Sequence, residues 1–584
     1  MAQLAEEILA ALDDEQRAVA TAVRGPVCVI AGAGTGKTRA ITHRLAYAVD
    51  IGVVEPNRIL ALTFTARAAG EMRARLRTLG VPNIAARTFH SAALKQLMYF
   101  WPQALGGRFP ALLTSKSGFL GEAIDRAGVS ATKSPSLLRD LSGEIEWAKV
   151  MQIPSDEYAK SVAEGQRKLS VRNSAKSANR ITAPDVARIY EAYEGLKKQE
   201  RAIDFEDVLL LTVGMLEEER EIRERIRDQY RYFTVDEYQD VSPLQQRLLD
   251  LWLGKREDIC VVGDPAQTIY SFAGATPAFL LNFTKKYPNA EVIRLSAGYR
   301  STPEIINLAN TILRSGELGH DLDAVNSHGD LPNSTSFDSE ASELLAISEK
   351  IRETIQSGVN PQSIAILART NSQLEAIEEA LNLAGIENQI RTAERFFERG
   401  NIREMVAAIR SGSVLSDPKG DWLSELRDLL KQFGENDKYA RALIQLAQEL
   451  SNDGIDSMRS YLRELEDRAE QNNPPALPGV TLATLHGAKG LEWEWVFIAG
   501  ASASNLPWIN APIEEERRLF YVGITRAKRS LSISYAGEPS PFLREAGLAP
   551  YRRWATHWSA VSGYNFYFAT KKTADGFGTW SSIG

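Results

Sequence analysis

Apolar runs alternate with helix-like segments in the N-terminal part of the chain. The runs Val27–Ile30 and Ile59–Phe64 are almost continuously apolar, which is typical of parallel strands covered on both faces. A third short strand, Ala85–Ser91, ends in polar residues. Strands that alternate with helices in this way predict a doubly wound α/β unit.

The alternation stops near Ala92, and a helical pattern replaces it as far as about Ala202. Two further strands follow, Tyr232–Val235 and Ile259–Val262, and each runs directly into polar or acidic residues. Because these strands restore the earlier pattern, we expect a helical insertion to interrupt the first α/β unit, which is completed after it.

A second α/β unit is predicted to begin near Val292–Leu295. A mainly helical, polar segment from about 397 to 477 interrupts it, and later strands resume the sheet: Val480–Thr484, Trp495–Ile498 and Leu531–Tyr535. The tail after about Leu548 is rich in aromatic residues, glycine and serine and has no clean periodicity. Its pattern leaves docking on the body, partner binding and poor order all open.

Composition narrows the class of protein. The 584 residues carry a net charge of −7, so any surface for nucleic acid must be local. The two cysteines, Cys28 and Cys260, lie in apolar runs, which argues against a disulfide framework or a zinc cluster. With no long apolar span and no secretion signal in the pattern, we expect a cytoplasmic protein.

One stretch of the first insertion is basic. It holds Arg167, Lys168, Arg172, Lys176 and Arg180 among serines and asparagines, with no acidic residue between them. A solvated loop and a contact with a phosphate backbone explain this pattern equally well.

The first chemical signal is a glycine-rich turn between the strand Val27–Ile30 and a helix. Glycines let backbone N–H groups approach phosphates closely, so the turn predicts a nucleoside triphosphate site. Lys37 would lie on the β- and γ-phosphates, and the Thr38 hydroxyl would bind Mg²⁺. The residues assigned to the nucleotide are Ala31, Gly32, Ala33, Gly34, Thr35, Gly36, Lys37, Thr38 and Arg39.

The second signal follows the strand Tyr232–Val235. Asp236 would hold Mg²⁺ and Glu237 would polarise the attacking water. Further along, Gln267 follows a strand end and could sense the γ-phosphate, while Tyr270 and Phe272 could stack on bases. An acid pair alone is a weak signal, but together with the glycine-rich turn it becomes a strong signal for a nucleoside triphosphate site.

Taken together, these stretches resemble the motifs of UvrD/Rep/PcrA-type superfamily-1 DNA helicases, in family order along almost the whole chain. The matching segments are 12–19, 31–38, 62–65, 88–91, 204–209, 235–240, 263–275, 295–301, 367–371, 396–399, 484–493 and 515–527. The resemblance implies an α/β fold with two RecA-like P-loop domains, each with a parallel sheet and a mainly helical insertion. The implied boundaries are 1–92 and 203–298 for the first domain, 93–202 for its insertion, 299–396 and 478–547 for the second domain, 397–477 for a shortened insertion, and 548–584 for the tail.

The resemblance also implies roles for individual residues. Gln16 would read the adenine, Tyr299 would stack on it, and Glu492 would lie near the ribose. Arg300 would reach the γ-phosphate, and Arg526 would be the arginine finger. The implied contacts with single-stranded DNA are Thr63, Phe64, Thr65, Thr88, Phe89, His90, Tyr270, Phe272 and His486.

The implied activity is ATP-dependent and Mg²⁺-dependent translocation on single-stranded DNA, 3′ to 5′, with separation of duplex DNA in repair or recombination. Single-stranded DNA, its junctions with duplex and possible repair proteins are the expected partners of a monomer. Three alternatives stay open: a translocase that unwinds little, the helicase half of a helicase–nuclease, and a DNA-binding or partner-recruiting protein without ATPase activity.

Three departures from the family pattern qualify this expectation. The family usually has Arg where this chain has Ala273, and Asn where it has Gly298. The second insertion spans only about 80 residues and lacks a convincing Gly-Ile-Gly signature for duplex DNA. These features favour ATPase activity and translocation over strong autonomous unwinding.

Overall fold

The first sheet of the computed structural model is built from six parallel strands. They are β1 (Val27–Ala31), β2 (Ile59–Thr63), β3 (Ala85–Thr88), β4 (Tyr232–Val235), β5 (Ile259–Gly263) and β6 (Glu291–Leu295). Their order across the sheet is β3-β2-β4-β5-β1-β6. We call this sheet and its covering helices the first unit.

The structure describes residues 2–113, 115–169, 171, 181–316, 321–391, 396–415, 421–434, 437–452, 455–470, 475, 477–509 and 511–549. These described residues belong to a single compact unit that ends at Ala549. The predictions for Arg172, Lys176, Arg180 and the aromatic-rich segment 550–584 lie outside them.

A second six-stranded parallel sheet forms what we call the second unit. Its strands are β7 (Asn333–Phe337), β8 (Ile364–Ala368), β9 (Asn388–Ile390), β10 (Val480–Thr484), β11 (Trp493–Ile498) and β12 (Ala527–Ala536), in the order β7-β12-β11-β8-β10-β9. In both sheets, chain segments separated by an insertion lie side by side, as β2 pairs with β4 and β8 pairs with β10.

The strand Glu291–Leu295 belongs to the first unit, so the prediction that the second unit begins near Val292 is wrong. Cys28 of β1 is in register with Val292, and Ala31 with Leu295. β6 is an edge strand in which the buried Ile293 and Leu295 alternate with exposed residues. Its partner in the sheet is β1, which lies 264 residues earlier in the chain, and the sequence pattern alone does not show this pairing.

Helices of the first unit are Ala2–Ala10, Asp14–Thr21, Lys37–Asp50, Ala66–Thr78, Phe89–Ala104, Phe205–Glu218, Arg220–Gln229, Pro243–Leu253, Ala278–Leu281 and Phe283–Lys286. The first insertion contributes Ser117–Arg126, Pro135–Val150, Ser155–Ala163 and Ala183–Glu200. Helices of the second unit are Pro303–Arg314, Glu340–Gln356, Asn371–Leu383, Ile513–Ile524 and Pro541–Glu545, and those of the second insertion are Gly400–Leu415, Trp422–Lys431, Lys438–Asn452 and Met458–Glu470.

Short elements connect these layers. The two-residue strands Ala111–Leu112 and Ala202–Ile203 pair with each other, and so do Ala297–Gly298 and Asp323–Ala324. Single turns of 3₁₀ helix occur at Pro56–Arg58, Tyr238–Asp240, Pro265–Gln267, Ser271–Ala273, Pro361–Ser363 and Phe396–Glu398.

The central strands of both sheets, such as β2, β4, β5 and β8, are buried on both faces, as their continuous apolar runs predict. One face of the first sheet packs around Phe233 and Trp252, and the other around Val29 and Leu45. Each insertion has a hydrophobic core of its own, centred on residues such as Tyr193 in the first and Tyr461 in the second. The domain boundaries given above stay a prediction.

The predicted strand Ala85–Ser91 is shorter than expected. It ends at Thr88, whose hydroxyl accepts the N–H of Ser91, while the Ser91 hydroxyl accepts the N–H of Thr88. This capping box starts the helix Phe89–Ala104. The helix crosses the predicted boundary at residue 92, and its buried Leu97 belongs to the core of the first sheet.

A buried ionic cluster joins the first insertion to the first unit. Lys149 and Lys197 each contact Asp204, at 2.8 and 3.0 Å. Asp204 also caps the helix Phe205–Glu218 and accepts the Tyr193 hydroxyl at 3.0 Å. Because the ammonium groups of Lys149 and Lys197 neutralise Asp204, the cluster positions the insertion and is not suited to binding a further cation.

Within the described residues, no helix combines the length and the apolar character that crossing a membrane requires.

Candidate nucleotide and DNA sites

The glycine-rich loop lies between β1 and the helix Lys37–Asp50. Gly34 and Gly36 have φ angles of +77° and +80°, a region that glycine adopts without strain. A Cβ at Gly34 would lie 2.6 Å from Cβ of Arg300, and one at Gly36 would lie 2.6 Å from Nε2 of Gln16. No side chain caps this helix at Gly36, so its first N–H groups can bind an anion.

A cavity of about 1050 Å³ lies over this loop, between the two units. Its walls bring together predicted residues from both halves of the chain: Ala33, Gly34, Thr35, Gly36, Lys37, Thr38, Arg39, Asp236, Glu237, Gln267, Tyr299, Arg300, Glu492 and Arg526. Lysine and arginine side chains over a helix N-terminus suit a polyphosphate. The cavity therefore fits ATP.

The acid pair lies at the end of β4, next to the loop. Nζ of Lys37 is 3.9 Å from Oε1 of Glu237, and Nζ of Lys489 is 3.9 Å from Oε2. Burial, and then the neighbouring Glu237, raise the pKa of Asp236 to about 7. Burial opposes ionisation of Glu237 as well, but Lys37 and Lys489 outweigh it and lower the pKa of Glu237 to about 2. Asp236, Glu237 and Thr38 line the same cavity, and their carboxylate and hydroxyl oxygens are donors that fit Mg²⁺.

Gln16 and Tyr299, which are far apart in the sequence, both contact the loop. Nε2 of Gln16 donates to the carbonyl of Thr35 at 3.1 Å, and the N–H of Tyr299 donates to the carbonyl of Gly34 at 3.0 Å. The Tyr299 hydroxyl donates to Asp13 at 2.5 Å, and this bond together with burial raises the pKa of Tyr299 to about 12. The Tyr299 ring is 42% exposed, so it has a free face for a base.

The far wall of the cavity comes from the second unit and the residues that follow β6. Nε of Arg300 lies 2.6 Å from Oε2 of Glu492, and Nζ of Lys528 lies 2.9 Å from Oε1. Burial opposes ionisation of Glu492, but Arg300 and Lys528 outweigh it and lower the pKa of Glu492 to about 2. Glu492, predicted beside the ribose, is thus paired with two cations, of which the sequence analysis missed Lys528.

Arg526 is almost fully buried at the same wall. Its guanidinium donates to the carbonyls of Val522 and Leu491, at 2.8 and 3.1 Å, and to Oε1 of Gln267 at 3.4 Å. Burial, and then Arg300, lower the pKa of Arg526 to about 9. Because the positive charges of Arg300 and Arg526 repel each other, a negatively charged phosphate bound beside them would be favourable.

Lys489 connects the acid pair to the aromatic residues, and the sequence analysis missed it. Its ammonium group contacts Asp240, donates to the carbonyl of Gln267 at 2.6 Å and lies 5.2 Å from the centre of the Tyr270 ring. The signal available in the sequence was its position in the segment 484–493, between two predicted site residues.

Four predicted DNA contacts form an aromatic cluster between the two units. Phe64 and Tyr270 stack with centroids 5.4 Å apart and planes 15° apart. His486 of the second unit lies 6.3 Å from Tyr270 and 5.8 Å from Phe272. Phe64 is 40% exposed and Phe272 is 56% exposed, so both rings can receive a base.

Other predicted DNA contacts have structural roles. The Phe89 ring is 4% exposed and stacks on Trp252, so the prediction that this side chain contacts DNA is corrected to core packing. Thr63 is also buried, and its hydroxyl donates to the carbonyl of Thr65 at 2.9 Å. The hydroxyls of Thr65 and Thr88 cap the helices Ala66–Thr78 and Phe89–Ala104.

His90 and Arg167 are likewise engaged inside the molecule. The His90 ring meets Phe205 edge-on at 6.0 Å. Arg167 forms a bidentate pair with Glu144, with both contacts at 3.1 Å, and donates to the carbonyl of Phe272 at 2.7 Å. The phosphate-contact interpretation of the basic stretch therefore does not apply to Arg167.

Comparisons with known proteins agree with this geometry. Residues 12–288 match the family model described as the UvrD/REP helicase N-terminal domain, and residues 293–413 and 415–538 match the UvrD-like helicase C-terminal domain. The ATP-dependent DNA helicase UvrD2 of Mycobacterium bovis is 41% identical over 95% of this chain and 84% of that protein. The ATP-dependent DNA helicase PcrA of Leuconostoc citreum is 26% identical over 92% of this chain and 85% of that protein.

A third relative, the putative ATP-dependent DNA helicase YjcD of Bacillus subtilis, is 26% identical over 90% of this chain and 78% of that protein. The two family models together span most of the chain. The chain therefore belongs to the UvrD/REP helicase family.

Proposed function

We propose that the chain is an ATP-dependent DNA helicase that moves 3′ to 5′ on single-stranded DNA and separates duplex DNA in repair or recombination. Its named relatives are ATP-dependent DNA helicases. The observation that carries the proposal is the cavity whose walls combine Lys37 and Glu237 of the first unit with Arg526 of the second. A site divided between two units makes ATP hydrolysis depend on their closure.

In this proposal the glycine-rich loop and the first turn of its helix hold the triphosphate, and Lys37 lies on the β- and γ-phosphates. Gln16 and Tyr299 hold the adenine, and Glu492 lies near the ribose. Glu237 orients the attacking water. Gln267 senses the γ-phosphate, so the segment that carries Gln267 responds to the bound nucleotide. Arg300 and Arg526 stabilise the charge that develops on the transferred group.

Thr38 and Asp236 are the proposed ligands of Mg²⁺, which supplies charge neutralisation at the β- and γ-phosphates. The low pKa of Glu237 leaves its carboxylate ionised at neutral pH, so it can accept a hydrogen bond from water. Lys489 keeps the negative charge near Asp240 and Glu237 balanced.

The single strand is proposed to lie on the aromatic cluster of Phe64, Tyr270, Phe272 and His486. Stacking accepts any base, which suits a motor that must move along every sequence. The rings come from both units, so closure and opening of the cleft change the distance between two grips on the strand. Alternate tightening of these grips converts each ATP turnover into a step.

The proposed partners are single-stranded DNA, its junctions with duplex, and repair proteins, and the proposed state is a cytoplasmic monomer. The domain boundaries implied by the family resemblance are part of the proposal. A second candidate is a translocase with little autonomous unwinding. It is favoured by the small size of the second insertion, whose described core rests on four helices.

The decisive experiment combines DNA-stimulated ATP hydrolysis with strand displacement on duplexes that carry a 3′ or a 5′ single-stranded tail. The proposal expects stimulation by single strands and displacement of the 3′-tailed duplex alone. Stimulation without displacement would support the translocase, and displacement of only the 5′-tailed duplex would contradict the polarity. DNA binding without ATP turnover would contradict the proposal that the chain is an enzyme.

A further inference from the structure

The helix Ile513–Ile524 of the second unit contacts one segment of the first unit at both of its ends. Glu515 lies in its first turn, Arg518 is three residues further along, and Arg526 follows its last turn. At a rise of about 1.5 Å per residue, about 13 Å of helix separates Glu515 from the helix end at Ile524, and Arg526 follows two residues later. The two residues therefore move together with a rigid element.

Each of these side chains meets a different residue of the segment that follows β5. Arg526 donates to the Gln267 side chain at 3.4 Å, at the nucleotide cavity. Nε of Arg518 donates to the carbonyl of Thr268 at 2.8 Å.

Glu515 completes the series at the aromatic end of the segment. Its carboxylate accepts the backbone N–H of Ser271 at 3.0 Å and also the Ser271 hydroxyl. The helix and the segment thus run alongside each other from the nucleotide cavity to the aromatic cluster.

Ser271 lies between two of the candidates for base stacking, of which Phe272 is exposed and Tyr270 is half-buried. Tyr270 precedes it and Phe272 follows it, and Ser271–Ala273 form a single 3₁₀ turn. Glu515 is 6% exposed, so its two hydrogen bonds are shielded from water. Because the acceptor is a carboxylate, they are also charge-assisted. From the other side, Arg167 of the first insertion fixes the carbonyl of Phe272.

We infer that Glu515 is a positioning residue that couples closure of the nucleotide cavity to the placement of Tyr270 and Phe272 against DNA. The inference rests on the proposed function. When the second unit moves, the helix carries Arg526 at the cavity and Glu515 at the loop by the same displacement. The loop follows because its backbone N–H and its hydroxyl are both held by one carboxylate.

The test compares the unchanged chain with four single variants and one double variant. Glu515→Ala removes the contact, Glu515→Gln keeps the size and one acceptor oxygen, and Ser271→Ala keeps the N–H bond but loses the hydroxyl. The matched control is Glu353→Gln, which removes an exposed carboxylate that pairs with Lys350 on its own helix. Each is assayed for ATP hydrolysis with and without oligodeoxythymidylate, and for the ATP and DNA concentrations at half-maximal rate.

For Glu515→Ala we expect an unchanged rate without DNA, an unchanged half-saturating ATP concentration, and about a tenfold loss of DNA stimulation, as loss of a charged hydrogen bond predicts. Glu515→Gln and Ser271→Ala should lose less, and Glu353→Gln should behave as the unchanged chain. The double variant Glu515→Ala with Ser271→Ala should be no worse than Glu515→Ala, because Glu515→Ala already removes the hydroxyl bond that Ser271→Ala removes.

Three results would overturn the inference in distinguishable ways. If the unchanged chain is stimulated by DNA and Glu515→Ala is stimulated equally, the coupling role is wrong and the proposed function stands. If DNA does not stimulate the unchanged chain at all, the proposed function fails, and the inference with it. A Glu515→Ala variant that loses the rate without DNA to the same degree would show a general structural role and reject coupling.

Discussion

Gln267 and Arg526 join the two units across the nucleotide cavity, with Oε1 of Gln267 accepting from Nη2 of Arg526 at 3.4 Å. Gln267 also donates to Asp264 at 2.7 Å, so its carboxamide is oriented from both ends. The pair fixes the guanidinium at the wall of the cavity in which the γ-phosphate is proposed to bind. Arg526 is thus preorganised, which is the condition for strong electrostatic catalysis.

Replacing Arg526 by Ala should reduce ATP turnover by about 10³-fold or more, the usual contribution of an arginine finger. Arg529→Ala is the matched control, because Arg529 is exposed and only three residues away. The measurement is the steady-state rate with saturating ATP and single-stranded DNA. Equal losses in the two variants would argue against a role of Arg526 at the phosphate.

Lys37→Ala should reduce ATP hydrolysis by about 10²–10³-fold, because the substitution removes a positive charge from the transition state. Single-stranded DNA should still bind in the absence of ATP, since the aromatic cluster does not include Lys37. Lys160→Ala, a change at an exposed lysine of the first insertion, is the control. Unchanged turnover in Lys37→Ala would show that the triphosphate site is misassigned.

Phe272→Ala should weaken binding of single-stranded DNA. Stacking is worth about 1–3 kcal/mol per base, so the dissociation constant should rise about 5- to 150-fold. Tyr99→Ala removes another exposed ring, 69% exposed and on the helix Phe89–Ala104, and should leave binding unchanged. Fluorescence anisotropy of a labelled oligonucleotide measures both, and parallel weakening would argue against a specific track.

Stability should fall as the pH drops from about 6.5 towards 4, in part because of two histidines. Burial and then Lys116 lower the pKa of His90 to about 4, and burial with Arg369 and Lys489 lowers the pKa of His486 to about 3. An unfolded histidine has a pKa of about 6.5, so within this window the unfolded chain binds more protons and acid favours unfolding.

Urea unfolding at about pH 7 and about pH 5 tests this expectation. His486→Phe keeps a ring in the aromatic cluster but cannot be protonated, so it should lose less stability than the unchanged chain between the two pH values. An identical loss in both proteins would mean that His486 is not held neutral by its surroundings.

Much of the nucleotide site was predictable because local sequence determines it. The continuous apolar runs predicted the buried strands, and glycines at 34 and 36 have the positive φ angles that the loop needs. The acid pair follows directly from the end of β4. The order of the family motifs then predicted that Arg300 and Arg526 line the same site. The hydrophobic pattern alone could not predict this.

What escaped prediction depends on contacts between distant parts of the chain. Glu515 and Ser271 are 244 residues apart, and their pairing exists only once the two units are packed. Phe89 illustrates the opposite problem. The segment that carries it resembles a DNA-binding motif, but the capping box of Thr88 and Ser91 begins a helix there and turns the ring towards Trp252.

The ion pair between Arg300 and Glu492 makes phosphate binding an exchange. Nε of Arg300 lies 2.6 Å from Oε2 of Glu492, so a γ-phosphate at the proposed position would compete with Glu492 for the guanidinium. When inorganic phosphate leaves, the Glu492 carboxylate would pair with the Arg300 guanidinium again. A built-in competitor of this kind weakens the hold on the spent nucleotide and resets the cleft for the next cycle.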